Sequence, residues 1–173
     1  MHFSELFGFC PVCGSSEFKL NNFKSKKCDN CGFVFYINPS AAVAAFIVNE
    51  NKELLISIRA HEPAKNTWDL PGGFVDDDET AEEALIREIK EELNLETDCV
   101  KYLFSVPNKY EYSGFTVPTL DLFYEVQIQN FSKLEATDDV LEAMFVPFDK
   151  IDIESFGLPS IKKAVKYYLE NKI

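Results

Sequence analysis

Gly72–Leu95, GGFVDDDETAEEALIREIKEELNL, is the stretch on which the fold of this chain turns. It reads as a glycine turn, an acidic loop and a helix. Thr80 is placed to cap that helix, and Glu83 three residues on completes a capping box. Ala81, Leu85, Ile89 and Leu93 recur every fourth residue and supply an apolar stripe to bury. At 3.6 residues per turn, Glu88, Glu91 and Glu92 fall within an arc of roughly 100° beside the stripe. Carboxylates so placed repel one another. A hard divalent cation with oxygen ligands relieves that repulsion; a solvated acidic helix face is the plainer alternative.

The neighbours favour the cation. Arg87 sits beside the triplet, with Glu79 two turns upstream as its partner, and Gly72-Gly73 let backbone approach closely before the loop. Gly73, Glu79, Arg87, Glu88, Ile89, Glu91, Glu92 and Leu95 stand where the Nudix box, G-x5-E-x7-R-E-U-x-E-E-x-G-U, requires them. The stretch therefore resembles the signature of the Nudix hydrolases. Asn94 departs, standing where the family has glycine. A left-handed residue ends a helix there, and Asn is the best substitute for Gly.

Composition agrees with a globular enzyme. The 173 residues are 46% hydrophobic and 14% aromatic, with 16 Phe, enough for one ordinary core and a small appendage. No run approaches the roughly 18 apolar residues of a membrane span. The start, MHFSELFGFC, has no basic segment followed by a long apolar one, so a cytoplasmic protein is expected. A net charge of −12 disfavours nonspecific nucleic-acid binding, while a phosphorylated substrate remains compatible if cations neutralise the site.

Cys10-Pro-Val-Cys13 and Cys28-Asp-Asn-Cys31 form two C-x2-C knuckles separated by 14 residues. This spacing reads as a tetrahedral site of four thiolates for structural Zn²⁺. Disulfides or redox thiols are the alternative, disfavoured in a reducing compartment. Gly14 and Gly32 follow the second cysteine of each knuckle and suit a tight turn. Residues 1–37 are expected to be a zinc ribbon, similar to the one preceding the Nudix domain in some relatives. They are too few to fold on apolar burial alone. Lys24–Lys27 reads as a solvated loop, and Cys99, the fifth cysteine, as a buried strand residue.

Residues 38–173 are then the hydrolase domain. Strands are expected at Ala41–Val48, Glu53–Arg59, Cys99–Ser105, Thr119–Ile128 and Ala143–Phe148, with an aromatic loop at Val106–Pro118. Pro159 opens a closing helix with Ile161, Ala164, Val165, Tyr168 and Leu169 as its stripe. The class is α/β, and the resemblance implies a mixed sheet between helices, an α/β/α sandwich.

The resemblance also implies a pyrophosphohydrolase that uses Mg²⁺ or Mn²⁺ to cleave a nucleoside diphosphate linked to another group. Glu88, Glu91 and Glu92 are its expected metal ligands, joined by the Gly73 carbonyl. Arg87 and Glu79 are the supporting pair. Glu142 is the candidate for an acidic residue from a later loop, with Glu135 and Asp139 as alternatives. Arg59 is a candidate phosphate contact, and Tyr110, Tyr112 and Phe115 are candidates to stack on a base or ribose. Trp68 in the lead-in Trp68-Asp69-Leu70-Pro71 is read as a packing residue. NADH pyrophosphatases follow the box with S-Q-P-W-P-F-P-x-S. Here only Ser105 and Pro107 match, so NADH specificity is not expected. The general resemblance implies ADP-ribose or a similar nucleoside diphosphate derivative as substrate, and a homodimer as the assembly. A nucleotide-sensing module without turnover and an RNA-decapping enzyme are the rival readings. Retention of all three glutamates opposes the first; the acidic charge opposes the second.

Overall fold

The computed structural model describes residues 7–112 and 114–171. They form two compact units: residues through Ser40 together with Lys109–Pro118, and Ala41–Asn108 together with the chain from Thr119 onward.

In the first unit β1 (Phe18–Asn22), β2 (Ser25–Cys28) and β3 (Val34–Tyr36) make an antiparallel sheet. Its buried apolar cluster consists of Cys10, Phe18 and Cys28, with Phe33 and Phe35 packed against them. Lys24–Lys27 is thus mostly strand and not loop. Lys26 is buried, its ammonium 4.9 Å from the centre of the Phe18 ring and donating to the Phe7 carbonyl. A cation over an aromatic face with a carbonyl acceptor is what makes that burial affordable.

The remaining strands and the two α-helices are β4 (Ser40–Ile47), β5 (Glu53–Arg59), β6 (Trp68–Asp69), the box helix α1 (Ala81–Leu93), β7 (Cys99–Tyr112), β8 (Phe115–Gln127), β9 (Val140–Pro147) and α2 (Pro159–Asn171), which lie in the second unit except for Ser40 and the Lys109–Pro118 part of β7 and β8. Strand orders are β4-β8-β7 and β6-β5-β9. β5 is antiparallel to both its neighbours, while Trp68 bridges Phe156 in parallel, so the pairing is mixed.

Strand periodicity makes the sandwich. Along β4, Val43, Ala45 and Ile47 join the cluster that holds Leu85, Ile89 and Leu93 of α1. Ala44 and Phe46 between them join the cluster of Ile161, Ala164, Val165 and Tyr168 from α2. One strand so buries both faces, as a continuous apolar run allows. Phe46 stacks on Tyr168 at 4.0 Å with the rings 6° from parallel. Leu85, Ile89 and Leu93 are fully buried, together worth roughly 5–9 kcal/mol of gross apolar transfer.

The expected aromatic loop at Val106–Pro118 is instead the outer part of a long hairpin, β7 and β8, turning through Gly114 at φ 82°. Pro107 makes the sequence look broken. It lies on β7, however, an edge strand, where a residue without N–H is tolerated. Cys99 lies on β7 as a strand residue but is exposed, not buried. Trp68 packs edge-on against Phe156 at 5.7 Å.

Candidate active site and cysteine cluster

The helix that carries the triplet is built locally at its start. Thr80 Oγ1 accepts from Glu83 N at 3.2 Å, and Glu83 Oε2 accepts from Thr80 N at 2.8 Å. It stops at Asn94, left-handed at φ 54°, ψ 31°, whose N–H donates to the Lys90 carbonyl at 3.1 Å.

Arg87 organises the space between helix and loop. Its Nη2 donates to Glu79 Oε1 at 2.6 Å and to the Phe74 carbonyl at 3.1 Å, and its Nε to Glu79 Oε2 at 3.2 Å. This two-point grip is the geometry at which a guanidinium binds a carboxylate best. It holds the Glu79 carboxyl below its usual range, helped by the Asp76 N–H. Nη1 faces the triplet, 2.9 Å from Glu88 Oε1 and 3.1 Å from Glu91 Oε2.

The glycines have separate duties. At Gly73 an added Cβ would lie 2.3 Å from Glu88 Oε1, so the missing side chain is the seat of the Glu88 carboxylate. Gly72, at φ 145°, runs so close to β4 that a Cβ would meet the Val43 carbonyl oxygen at 2.1 Å. Its N–H donates to Glu92 Oε2 at 3.0 Å. The Gly73 carbonyl accepts from Val43 N at 2.8 Å, which leaves one lone pair for another partner.

Burial sets the charge state. Glu92 is 7% exposed, and desolvation pushes its carboxyl well above the ordinary range, reinforced by Glu88, Asp69 and Asp139 and opposed by the Gly72 N–H. Desolvation also raises Glu88, against the pull of Arg87, with Glu91 and Asp138 adding repulsion. Carboxylates crowded out of water in this way, with a backbone carbonyl beside them, are a donor set that fits a hard divalent cation.

Glu142 is exposed on β9 opposite Ile58, and Glu135 is exposed with its N–H on the Leu93 carbonyl. Asp138, which sequence reasoning missed, adds repulsion at Glu88, and Asp139 adds it at Glu92. Arg59 Nη1 pairs with the buried Asp69 at 2.5 Å, and its Nε donates to the Pro63 carbonyl at 2.8 Å. Tyr110, Tyr112 and Phe115 belong to the hairpin tip that groups with the ribbon. Asp69, a fixed partner for Arg59, had no sequence signal beyond its place before the box.

The four cysteines converge. Their sulfurs all lie within 4.8 Å of one another, with Cys10–Cys31 at 3.7 Å and Cys13–Cys28 at 3.6 Å. None is in a disulfide. A tetrahedron of Zn–S bonds near 2.3 Å has edges of about 3.8 Å, so the spacing suits zinc. The two knuckles match: Gly14 N and Gly32 N each donate at 2.9 Å to the carbonyl of the first cysteine, with φ of 72° and 77°. The N–H of Ser15, then the Asn30 amide, lower the Cys13 thiol to about 6. Among the described residues this is the set whose ligand atoms gather so tightly; the box carboxylates are spread between Arg87 and the Gly72 amide.

Fold and site thus define an α/β protein with a cation-fitted acidic helix and a separate thiolate cluster. A profile of the NUDIX domain matches residues 38–167, and the chain belongs to the Nudix family, as a hydrolase of the pyrophosphohydrolase type. The ADP-ribose pyrophosphatase of Methanocaldococcus jannaschii is 33% identical over 149 residues, covering 85% of this chain and 83% of that protein. The NAD-capped RNA hydrolase NudC of Vibrio atlanticus is 28% identical over 106 residues, 61% of this chain but only 39% of its own length. A NUDIX hydrolase from Nitrosomonas europaea superposes with a TM-score of 0.75 over 96% of this chain and 92% of its own, at 22% identity, a likeness of fold. No helix among the described residues is long and apolar enough to cross a membrane.

Proposed function

We propose that this chain hydrolyses the diphosphate bond of ADP-ribose or a closely similar nucleoside diphosphate derivative, with Mg²⁺ or Mn²⁺ at the box. The observation that carries this is the pair of desolvated carboxylates, Glu88 seated on Gly73 and Glu92 under the Gly72 N–H. The choice of substrate is supported by the ADP-ribose pyrophosphatase that is similar over most of both chains. A divalent cation bound there supplies charge neutralisation and an acidified water. Glu88, Glu91 and Glu92 hold the cation with the Gly73 carbonyl. Arg87 and Glu79 keep helix and loop in register. Glu142 is the candidate for a further carboxylate from the later part of the chain, with Glu135 and Asp139 as alternatives, joined by Asp138, which adds repulsion at Glu88. Phosphoryl transfer needs mainly positioning and electrostatics, which this frame provides without a protein nucleophile.

In the same reading Cys10, Cys13, Cys28 and Cys31 hold one Zn²⁺, and residues 38–173 are the hydrolase domain. The active assembly is a homodimer, which light scattering at the monomer mass would rule out. The test of function is a panel of ADP-ribose, NADH, sugar nucleotides, NTPs and NAD-capped RNA assayed with Mg²⁺. ADP-ribose should give the highest kcat/KM. Preference for capped RNA would move the protein to a decapping role. Ligand binding without any turnover would make it a sensor.

A further inference from the structure

The C-terminal end of α1 raises a question that its own sequence does not answer. A helix leaves its last four carbonyls without partners inside the helix; in α1 these are the carbonyls of Lys90, Glu91, Glu92 and Leu93. Asn94 N takes the first. The other three are taken by one short loop more than forty residues later. Thr137 Oγ1 donates to the Glu91 carbonyl, Thr137 N to the Glu92 carbonyl at 2.9 Å, and Glu135 N to the Leu93 carbonyl at 3.1 Å.

Thr137 therefore grips the two adjacent residues that carry two of the three box carboxylates. Glu92 is held from both sides, its side chain by the Gly72 N–H and its backbone by the Thr137 N–H. The loop is anchored beyond the helix too: Asp139 accepts from Ala60 N at 2.9 Å through its carbonyl, and His61 Nε2 stands 3.4 Å from its carboxylate. The electrostatic sense is consistent. Partial negative charge at a helix C-terminus adds to the repulsion among nearby carboxylates, and donors on those carbonyls reduce it.

We propose that Thr137 is a positioning residue for the divalent cation: its hydroxyl and N–H set where the Glu91 and Glu92 carboxylates stand. The inference rests on the catalytic reading of the box, and goes beyond it by assigning the affinity of the site partly to a residue that touches neither cation nor substrate. Groups in such supporting positions change metal affinity by about 10–100-fold when removed.

The test compares Thr137→Val, which keeps the shape and loses the hydroxyl, with Thr137→Ser, which keeps it, and with Thr137→Ala should Val disturb folding. Mn²⁺ binding to the full chain without substrate is followed by electron paramagnetic resonance, alongside thermal melting and the Mg²⁺ dependence of turnover. Val and Ala should weaken Mn²⁺ binding by about tenfold and raise the Mg²⁺ needed for half-maximal rate in parallel. Ser should restore both. A lower melting temperature with unchanged Mn²⁺ affinity would reduce Thr137 to a structural cap and overturn the proposal. Failure of the wild-type chain to bind Mn²⁺ would instead bring down the catalytic reading, and this one with it.

Discussion

The ribbon and the box helix both gather anionic ligands, yet they stand on different foundations. Three buried residues, Cys10, Phe18 and Cys28, make the ribbon's core, and two of them belong to the thiolate cluster. The box helix rests on a cluster of twelve buried residues, to which it contributes Ala84, Leu85, Ile89 and Leu93 and none of its carboxylates. In the first region the ligands are the core, so a metal there supplies folding energy. In the second the ligands sit beside a core that is complete without them, so a metal there is free to serve chemistry.

Removing metal from the ribbon should have the largest effect. Structural zinc sites of this kind bind with roughly 10–16 kcal/mol. Chelation, or Cys28→Ala, should therefore abolish amide protection in β1–β3 while α1 and α2 keep theirs. Hydrogen exchange that leaves the ribbon protected would erase the contrast between the regions.

Next come the box ligands. Glu91→Gln with Glu92→Gln should lower kcat on the order of 10²–10⁴-fold with little change in melting temperature. Undiminished turnover in that double variant would show that the helix is a solvated face and not a catalytic platform.

The two glycines sharpen the same distinction at adjacent positions of the backbone. Gly73→Ala pushes against the end of the flexible Glu88 side chain. It should cost activity, about 10²-fold for a displaced ligand, more than stability. Gly72→Ala meets fixed backbone of β4 at a φ that side chains avoid, and should cost about 3 kcal/mol of folding free energy. Equal melting temperatures for the two variants would contradict this division. The smallest effect is expected at Asn94: Val should cost about 1 kcal/mol or more and Gly nothing, which thermal denaturation of both resolves.

Much of this was legible from residues close together in the chain. Thr80 and Glu83 are three apart, and Asn94 follows the last buried residue of its helix. Arg87 reaches Glu79 across two turns, and each cysteine knuckle spans four residues. Such contacts recur at fixed spacing, because helix and turn geometry make them, and spacing is what a sequence displays. The alternation along β4 likewise follows from a strand's period of two.

What only the tertiary structure decided are the closures between distant segments. Nothing in the spacing says that Thr137 takes the carbonyls of Glu91 and Glu92, or that Asp138 adds repulsion at Glu88 and Asp139 at Glu92. β9 begins at Val140, earlier than its apolar run suggests, and so places Glu142 in a strand opposite Ile58. Arg59 is bound to Asp69 because β5 and β6 pair, and Val106–Pro118 extends as a hairpin because the open edge of β7 accepts a proline. A hydrogen bond across forty residues leaves no period behind. It exists because a buried carbonyl must find a donor, and which donor arrives is settled by how the layers pack.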